Sequence, residues 1–184
     1  MSITTETDFS TDIVAGTWTI DPSHSEVGFT VRHLMSKVRG QFTTFEGTLT
    51  TGTSLEDTRA EASIDLNSVD TRDSQRDAHL RSADFFDVEN NGPMAFRATS
   101  FDGTNAVGEL TIKGITRTVE LDVEFLGLGQ DPWGNQRVGF EASTVINRKD
   151  FGVTFNIPLD GGKLMVGDKV NVHLAVEAVL NQAA

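Results

Sequence analysis

The chain has 184 residues, a formal net charge of −12 and no cysteine. That length favours one domain with a sizeable core. The missing cysteine excludes a disulfide framework, a thiolate metal site and a cysteine nucleophile. The acidity argues against nucleic acid, which selects a basic stripe, and against docking on an anionic membrane by charge alone.

Residues 1–14, MSITTETDFSTDIV, have neither the basic nor the apolar stretch of a secretory signal. They are predicted to form a flexible polar tail ahead of a single domain over residues 15–184. The expected location is the cytoplasm. No later stretch is apolar and long enough to span a bilayer, so stable membrane insertion is not expected.

Beyond the tail, apolar residues recur with a period of two. Val27, Phe29 and Val31 alternate with Glu26, Thr30 and Arg32; Ala60, Ala62, Ile64 and Leu66 alternate with Arg59, Glu61, Ser63 and Asp65. The pattern returns in Val119, Leu121, Val123 and Phe125, in Val138, Phe140, Ala142 and Ile146, and in Val170, Val172, Leu174, Val176, Ala178 and Leu180. Each run predicts a strand with one apolar and one wet face. About eight strands are expected, at 16–21, 24–32, 37–51, 58–67, 94–102, 105–113, 116–128 and 136–147, with 168–180 as a possible ninth. Asp102-Gly103 and Lys113-Gly114 leave gaps short enough for antiparallel hairpins. A meander of that many strands must close or split into a sandwich, or leave a costly open edge.

One segment breaks the rhythm. Residues 67–88 carry helix formers, with Asp70 and Thr71 as cap candidates, and predict a short helical segment around 70–86. Its apolar content is thin until Leu80, Phe85 and Phe86, so it should lie across one end of the sheet with the two rings as its plug. Adjacent residues point in different directions. One ring is therefore expected to reach the interior and the other to anchor the segment.

The polar residues define no converging chemistry. His24 and His33 differ in strand parity, His173 shares its face with Asn171 and Glu177, and Asp77 and His79 stand two apart on a helix, where neighbours do not face each other. No metal site is predicted. Ser23-His24-Ser25 are chain neighbours, whereas a triad is assembled from separate segments, and there is no G-x-S-x-G elbow. His24, Ser25 and Arg32 read best as polar capping at a rim.

The apolar face carries more information. Strands of about a dozen residues, at about 3.3 Å each and tilted by about 40°, make a barrel on the order of 30 Å tall. Such an interior suits an extended molecule. The alternative is a core packed solid with the same residues; the small inward-parity residues Ala60, Ala62, Ala98, Ala142 and Ala178 favour a hollow.

Four runs in order carry a family resemblance: WTIDPSHSEVGFTVRHLMSKVRGQFTTFEGTL (18–49), SVDTRDSQRDAHLRSADFFDV (68–88), GELTIKGITRTVEL (108–121) and INRKDFGV (146–153). From Gly16 to Leu180 the chain resembles the YceI-like polyisoprenoid-binding proteins. The resemblance implies an all-β, lipocalin-like antiparallel barrel of about eight strands, with a helical segment and a long apolar tunnel. It implies a polyprenyl lipid or isoprenoid quinone as ligand, no catalytic cofactor, and a homodimer in some members. Many relatives are exported, a role that does not carry over without a leader. The motif's polar residues fall on His24, Arg32, His33, Asp77, His79, Arg81, Asp84, Arg148 and Asp150, with no catalytic role implied. Val27, Phe29, Val31, Phe42, Ile64, Phe85, Phe86, Phe96, Leu110, Leu121, Val123, Phe140, Phe155, Val172 and Leu174 are the expected ligand-binding residues. The function so implied is binding, storage or transport of a long-chain isoprenoid lipid rather than catalysis. The alternatives are an enzyme using His33, His79 or Asp84 as acid or base on the bound lipid, and a lipid-gated interaction module.

Overall fold

The computed structural model describes residues 9–182. Its elements run α1 (Phe9–Asp12), β1 (Gly16–Ile20), β2 (Glu26–His33), β3 (Ser36–Phe42), β4 (Phe45–Thr51), β5 (Arg59–Ile64), β6 (Val69–Asp70), α2 (Ser74–Arg81), β7 (Met94–Phe101), β8 (Asn105–Ile112), β9 (Ile115–Gln130), β10 (Gln136–Asn147) and β11 (Val166–Leu180). All pairings are antiparallel, and β1 pairs with both β4 and β11, so the sheet closes on itself.

The barrel has eight staves, three of them broken. The first is β1 with β2, interrupted by a 3-10 turn at Pro22–His24. The second is β3 with β4, bent at Thr43 and Thr44, and the third is β5 with β6, interrupted by a 3-10 turn at Leu66–Ser68. Strands β7 to β11 complete the circle. The sequence runs 16–21 and 24–32 are therefore two pieces of one stave, and 168–180 is a full member. Closure removes the open edge that a long meander would otherwise expose.

The up-and-down course gives the barrel two distinct ends. At the α1 end lie the turns 102–104 and 131–135 and the helix α1. Of the tail expected over residues 1–14, residues 9–14 are described, and there Phe9 is buried and meets the rings of Phe101 and Phe125 edge to face, at 5.1 and 5.2 Å. One large apolar side chain in a polar stretch is enough to dock it. Residues 1–8 lie outside the described residues. Behind Phe9, fully buried Trp18 packs with Leu49, Val138 and Ala178. Its Nε1 donates to Thr51 Oγ1 at 3.0 Å, so burial leaves no polar atom unpaired.

At the α2 end lie the turns 34–35 and 113–114 and the longer segments 71–93 and 148–165. The third stave stops at Asp70, so β3 is paired along its whole length with β2 but on its other side meets only Val69 and Asp70; residues 71–93 cover that gap. α2 is shorter than the predicted 70–86 and is capped by Asp73 rather than Asp70 or Thr71. Asp73 accepts from the backbone N–H groups of Gln75 and Arg76. Those donors hold its carboxyl below the usual range.

Candidate functional site: an apolar cavity at the α2 end

Inside the α2 half of the barrel the strands enclose a cavity of about 280 Å³. Period-two alternation puts Val27, Phe29 and Val31 of β2 on one wall, with Phe42, Ile64, Phe96, Leu110, Leu121, Val172 and Leu174 on the others. Phe85 and Phe86 cover it. Twelve of the fifteen expected residues thus border the space.

The other three do not. Val123 packs with Ala106, Leu121 and Ala142 towards the solid half. Phe140 packs against the Trp18 cluster, beside a register shift between Gly139 and Phe140. Phe155 stands behind the cover, 5.2 Å from Phe85 and 5.0 Å from His79 between ring centroids. Parity says which face a residue takes but not its height along the barrel, and height separates Val123 and Phe140 from the cavity.

The alanines also correct the reading that made them the cause of the hollow. Of the five, Ala62 alone is in the cavity wall. Ala178 is fully buried against Trp18, and Ala142 sits in a packed cluster. Their small size makes room for large neighbours rather than for a ligand. Glycine does the same work on the cavity wall. A Cβ on Gly40 would strike the ring of Phe29 and Thr71, and one on Gly108 would strike the ring of Phe96. Each glycine lets a ring lie flat across the neighbouring strand.

Cavity residues that parity could have supplied are Ile112, Val119, Ile146, Val170 and Val176, which continue strands already recognised. Phe151, Val153 and Met165 come from the irregular segment 148–165, where no periodicity exists to reveal them.

The polar side chains in the wall are His33, Arg76, His79, Thr144 and Arg148. Arg76 is tied to Thr71, Nε to Oγ1 and Nη2 to the carbonyl, both at 2.7 Å. Asp77 is buried and accepts from the backbone N–H and hydroxyl of Thr71, at 2.9 and 2.6 Å. Arg81 donates to the carbonyls of Asn67 and Val69. These three side chains therefore fasten α2 to the end of the third stave.

Arg148 is buried and donates to the carbonyls of Val153 and Phe155 (both 2.8 Å), Gly167 (2.9 Å) and Val166 (3.4 Å). Burial pushes its guanidinium below its ordinary value, opposed by Asp168 3.8 Å away. It is the internal strut of segment 148–165. His79 Nε2 lies 2.8 Å from Asp84 Oδ2 at the exposed edge of the cover. His24, Arg32 and Asp150 are exposed and outside the cavity wall; His24 pairs with Asp21 at 2.9 Å.

A separate ionic cluster lies away from the cavity. Arg137 bridges Asp131 (2.8 Å), Asp21 (2.9 Å) and Glu177 (3.0 Å), tying the turn 131–135 to the break between β1 and β2. The Ser23 hydroxyl, then Arg137, holds the Asp21 carboxyl well below its usual range, and Arg137 does the same for Asp131. No group of three or more His, Asp or Glu residues suited to a metal ion occurs among the described residues. A recess of about 500 Å³ on the outer wall, between Thr44–Glu46, Ser63–Asn67 and Val88–Pro93, has mixed polar and apolar walls and is open to water.

A closed eight-stranded antiparallel meander around an apolar cavity defines a lipocalin-like barrel. The family model described as YceI-like domain matches residues 18–178, and the chain belongs to that family. UPF0312 protein SERP2314 of Staphylococcus epidermidis is 40% identical over 163 residues, covering 85% of this chain and 94% of the relative. The crystal structure of the Campylobacter jejuni YCEI protein superposes with a TM-score of 0.68 at 30% identity, covering 88% of this chain and 96% of that one. A polyisoprenoid binding domain from Saccharophagus degradans, implicated in plant cell wall breakdown, shares the fold with a TM-score of 0.66 at 16% identity, over 91% of this chain and all of that one.

Proposed function

We propose that the chain binds a long-chain isoprenoid lipid, a polyprenyl lipid or isoprenoid quinone, and carries or stores it chemically unchanged. The observation that carries this reading is the cavity itself: walled by aliphatic and aromatic side chains, backed by the Trp18 cluster and covered by Phe85 and Phe86. Removing apolar surface from water drives such binding without any polar anchor. Family membership and the polyisoprenoid-binding neighbour support the ligand class. At about 280 Å³ the space is near the lower bound for small-ligand pockets. It holds part of a prenyl chain, the remainder leaving through the α2 end.

The test is native mass spectrometry after incubation with menaquinone or a polyprenyl phosphate dispersed in detergent. One lipid per chain, recovered with unchanged mass, is expected. Failure to load any prenyl lipid overturns the reading. A changed lipid mass replaces it with catalysis on the bound lipid, with His33, His79 and Asp84 as the acids or bases to substitute next.

A further inference from the structure

The net charge of −12 conceals an uneven distribution. Twelve of the fifteen Lys and Arg residues stand in four segments, 32–39, 70–93, 113–117 and 147–169, together with nine of the 27 acidic residues. These segments build the α2 end. They are net positive, while the rest of the chain holds three cations against eighteen acids. The sum that argued against an anionic surface does not describe this face.

The same end exposes apolar side chains. The β2–β3 hairpin turns on Leu34 and Met35, since His33 pairs with Ser36. Leu34 is 47% exposed and Met35 fully so. Leu34 also adopts a φ of 54°, a left-handed conformation that favours glycine. The β8–β9 turn at the same end uses Lys113-Gly114, both with positive φ, as a hairpin ordinarily would. Leu34 shares its φ with Lys113, so what sets the Leu-Met tip apart is that it offers two apolar side chains to solvent where the other tip offers a lysine and a glycine.

This tip does not stand alone. Leu34 N–H donates to the Met165 carbonyl at 2.8 Å, and Met165 N–H to the Ile157 carbonyl at 3.1 Å. The small loop so attached carries Ile157 and Leu164, 44% and 48% exposed. His33 and Met165, which flank this junction, are both in the cavity wall. Around the tips, Arg32, Lys37, Arg39 and Lys163 are exposed and form no ion pair among the described residues. Asp160 is the acid closest in sequence to Lys163.

We infer that this rim docks on an anionic lipid bilayer, with Leu34, Met35, Ile157 and Leu164 entering the headgroup layer and the surrounding cations facing lipid phosphates. Narrow apolar tips ringed by Lys and Arg match a bilayer, in which apolar groups sink a few ångströms and cations stay at the surface. The acidic α1 end is repelled by the same surface, which sets the barrel upright with its cavity towards the membrane. This inference goes beyond the ligand reading and stands on the surface alone.

The test uses the full chain without added prenyl lipid. Co-sedimentation is measured with vesicles of phosphatidylglycerol and phosphatidylcholine in equal parts, and with phosphatidylcholine alone. Binding is expected to the anionic vesicles, weakening as salt is raised. Leu34→Ser with Met35→Ser should reduce affinity by at least about tenfold with little loss of thermal stability, because Met35 is already in water and Leu34 is half exposed. Lys37→Glu with Arg39→Glu should lose binding to the anionic vesicles. Trp133→Ser removes an 81%-exposed apolar side chain at the opposite end and should bind as the unaltered chain does.

The inference is overturned if the unaltered chain stays in the supernatant, or if the tip variant binds as well as it does. It is equally overturned if sedimentation velocity shows the tip variant breaking a dimer while vesicle binding is absent; the rim is then an interface between copies. Loading from detergent tests the cavity separately. A chain that docks but takes no prenyl lipid loses only the ligand reading, and one that loads but does not dock loses only this one.

Discussion

At the α1 end, Trp18 is fully buried and Val138 and Ala178 close around it, whereas at the α2 end the inward side chains face one another across a void. The same staves build both halves, with the same alternation of apolar and polar residues. The difference lies in what enters from outside the strands. One end receives Phe9 and places alanine beside tryptophan, so its volume is filled. The other loses its third stave at Asp70 and is covered by segments held through Asp77, Arg81 and Arg148. A barrel of this size can be filled or hollow, and this one is each in turn. Stability should therefore concentrate at the α1 end, leaving the α2 end free to open.

Substitutions can break that division or sharpen it. Trp18→Ala should cost about 3–5 kcal/mol, the range for a large buried aromatic ring, read by urea unfolding, with lipid loading retained in the folded fraction. An equal loss of loading would mean that the two halves are not independent. Arg148→Met takes the guanidinium donor from the carbonyls of Val153, Phe155 and Gly167, while Val166 keeps its bond from Asn156, and should cost about 2–4 kcal/mol. Hydrogen exchange should place that loss in residues 148–166, with protection of β1 and β4 unchanged. Phe86→Ala removes a ring that already borders empty space. It should cost about 1–2 kcal/mol, less than a fully packed ring, and speed lipid release more than it lowers stability. Equal costs for Phe86→Ala and Trp18→Ala would show the α2 end to be packed solid.

The smallest effect concerns pH. Asp21 and Asp131 have folded pKa values lowered below the ordinary carboxyl range. Their contribution is present above about pH 4, where the unfolded groups are also ionised, and is lost as pH falls towards the folded values. Arg137→Gln should shrink this acid-dependent loss, measured as the change in thermal midpoint between neutral and acid solution. It should leave lipid loading unchanged, because the cluster borders the solid half.

The closed meander was legible because alternation survives in every stave and the turn residues sit where hairpins need them. Twelve cavity residues followed from the same parity and from the family resemblance. What parity cannot encode is position along the axis, and so Val123 and Phe140 were expected in a space they do not reach. One of Phe85 and Phe86 was expected to reach the interior and the other to anchor the segment; both border the cavity, and Phe85 also packs against His79 and Phe155. Arg148 stood out in the sequence only as one of the polar residues of the family motif. Its carbonyl partners lie on 153–167, and nothing in a linear sequence aims a guanidinium at carbonyls that become neighbours only on folding. The charged face at the α2 end is hidden for a different reason: net charge is a sum, and four segments distant in sequence meet only in the fold.

The pairing of Trp18 with Leu180 has a consequence for synthesis. The half of the molecule that is most tightly packed when finished depends on partners drawn from both extremes of the matched region. Trp18 cannot leave water until β10 and β11 have emerged from the ribosome, so the firmest part of the barrel is the last to become firm. Contacts spanning that much chain also form slowly. Trp133 is exposed in the finished barrel, so the shift in tryptophan emission of arrested chains should come from Trp18 and be complete only once residue 180 is free to pair.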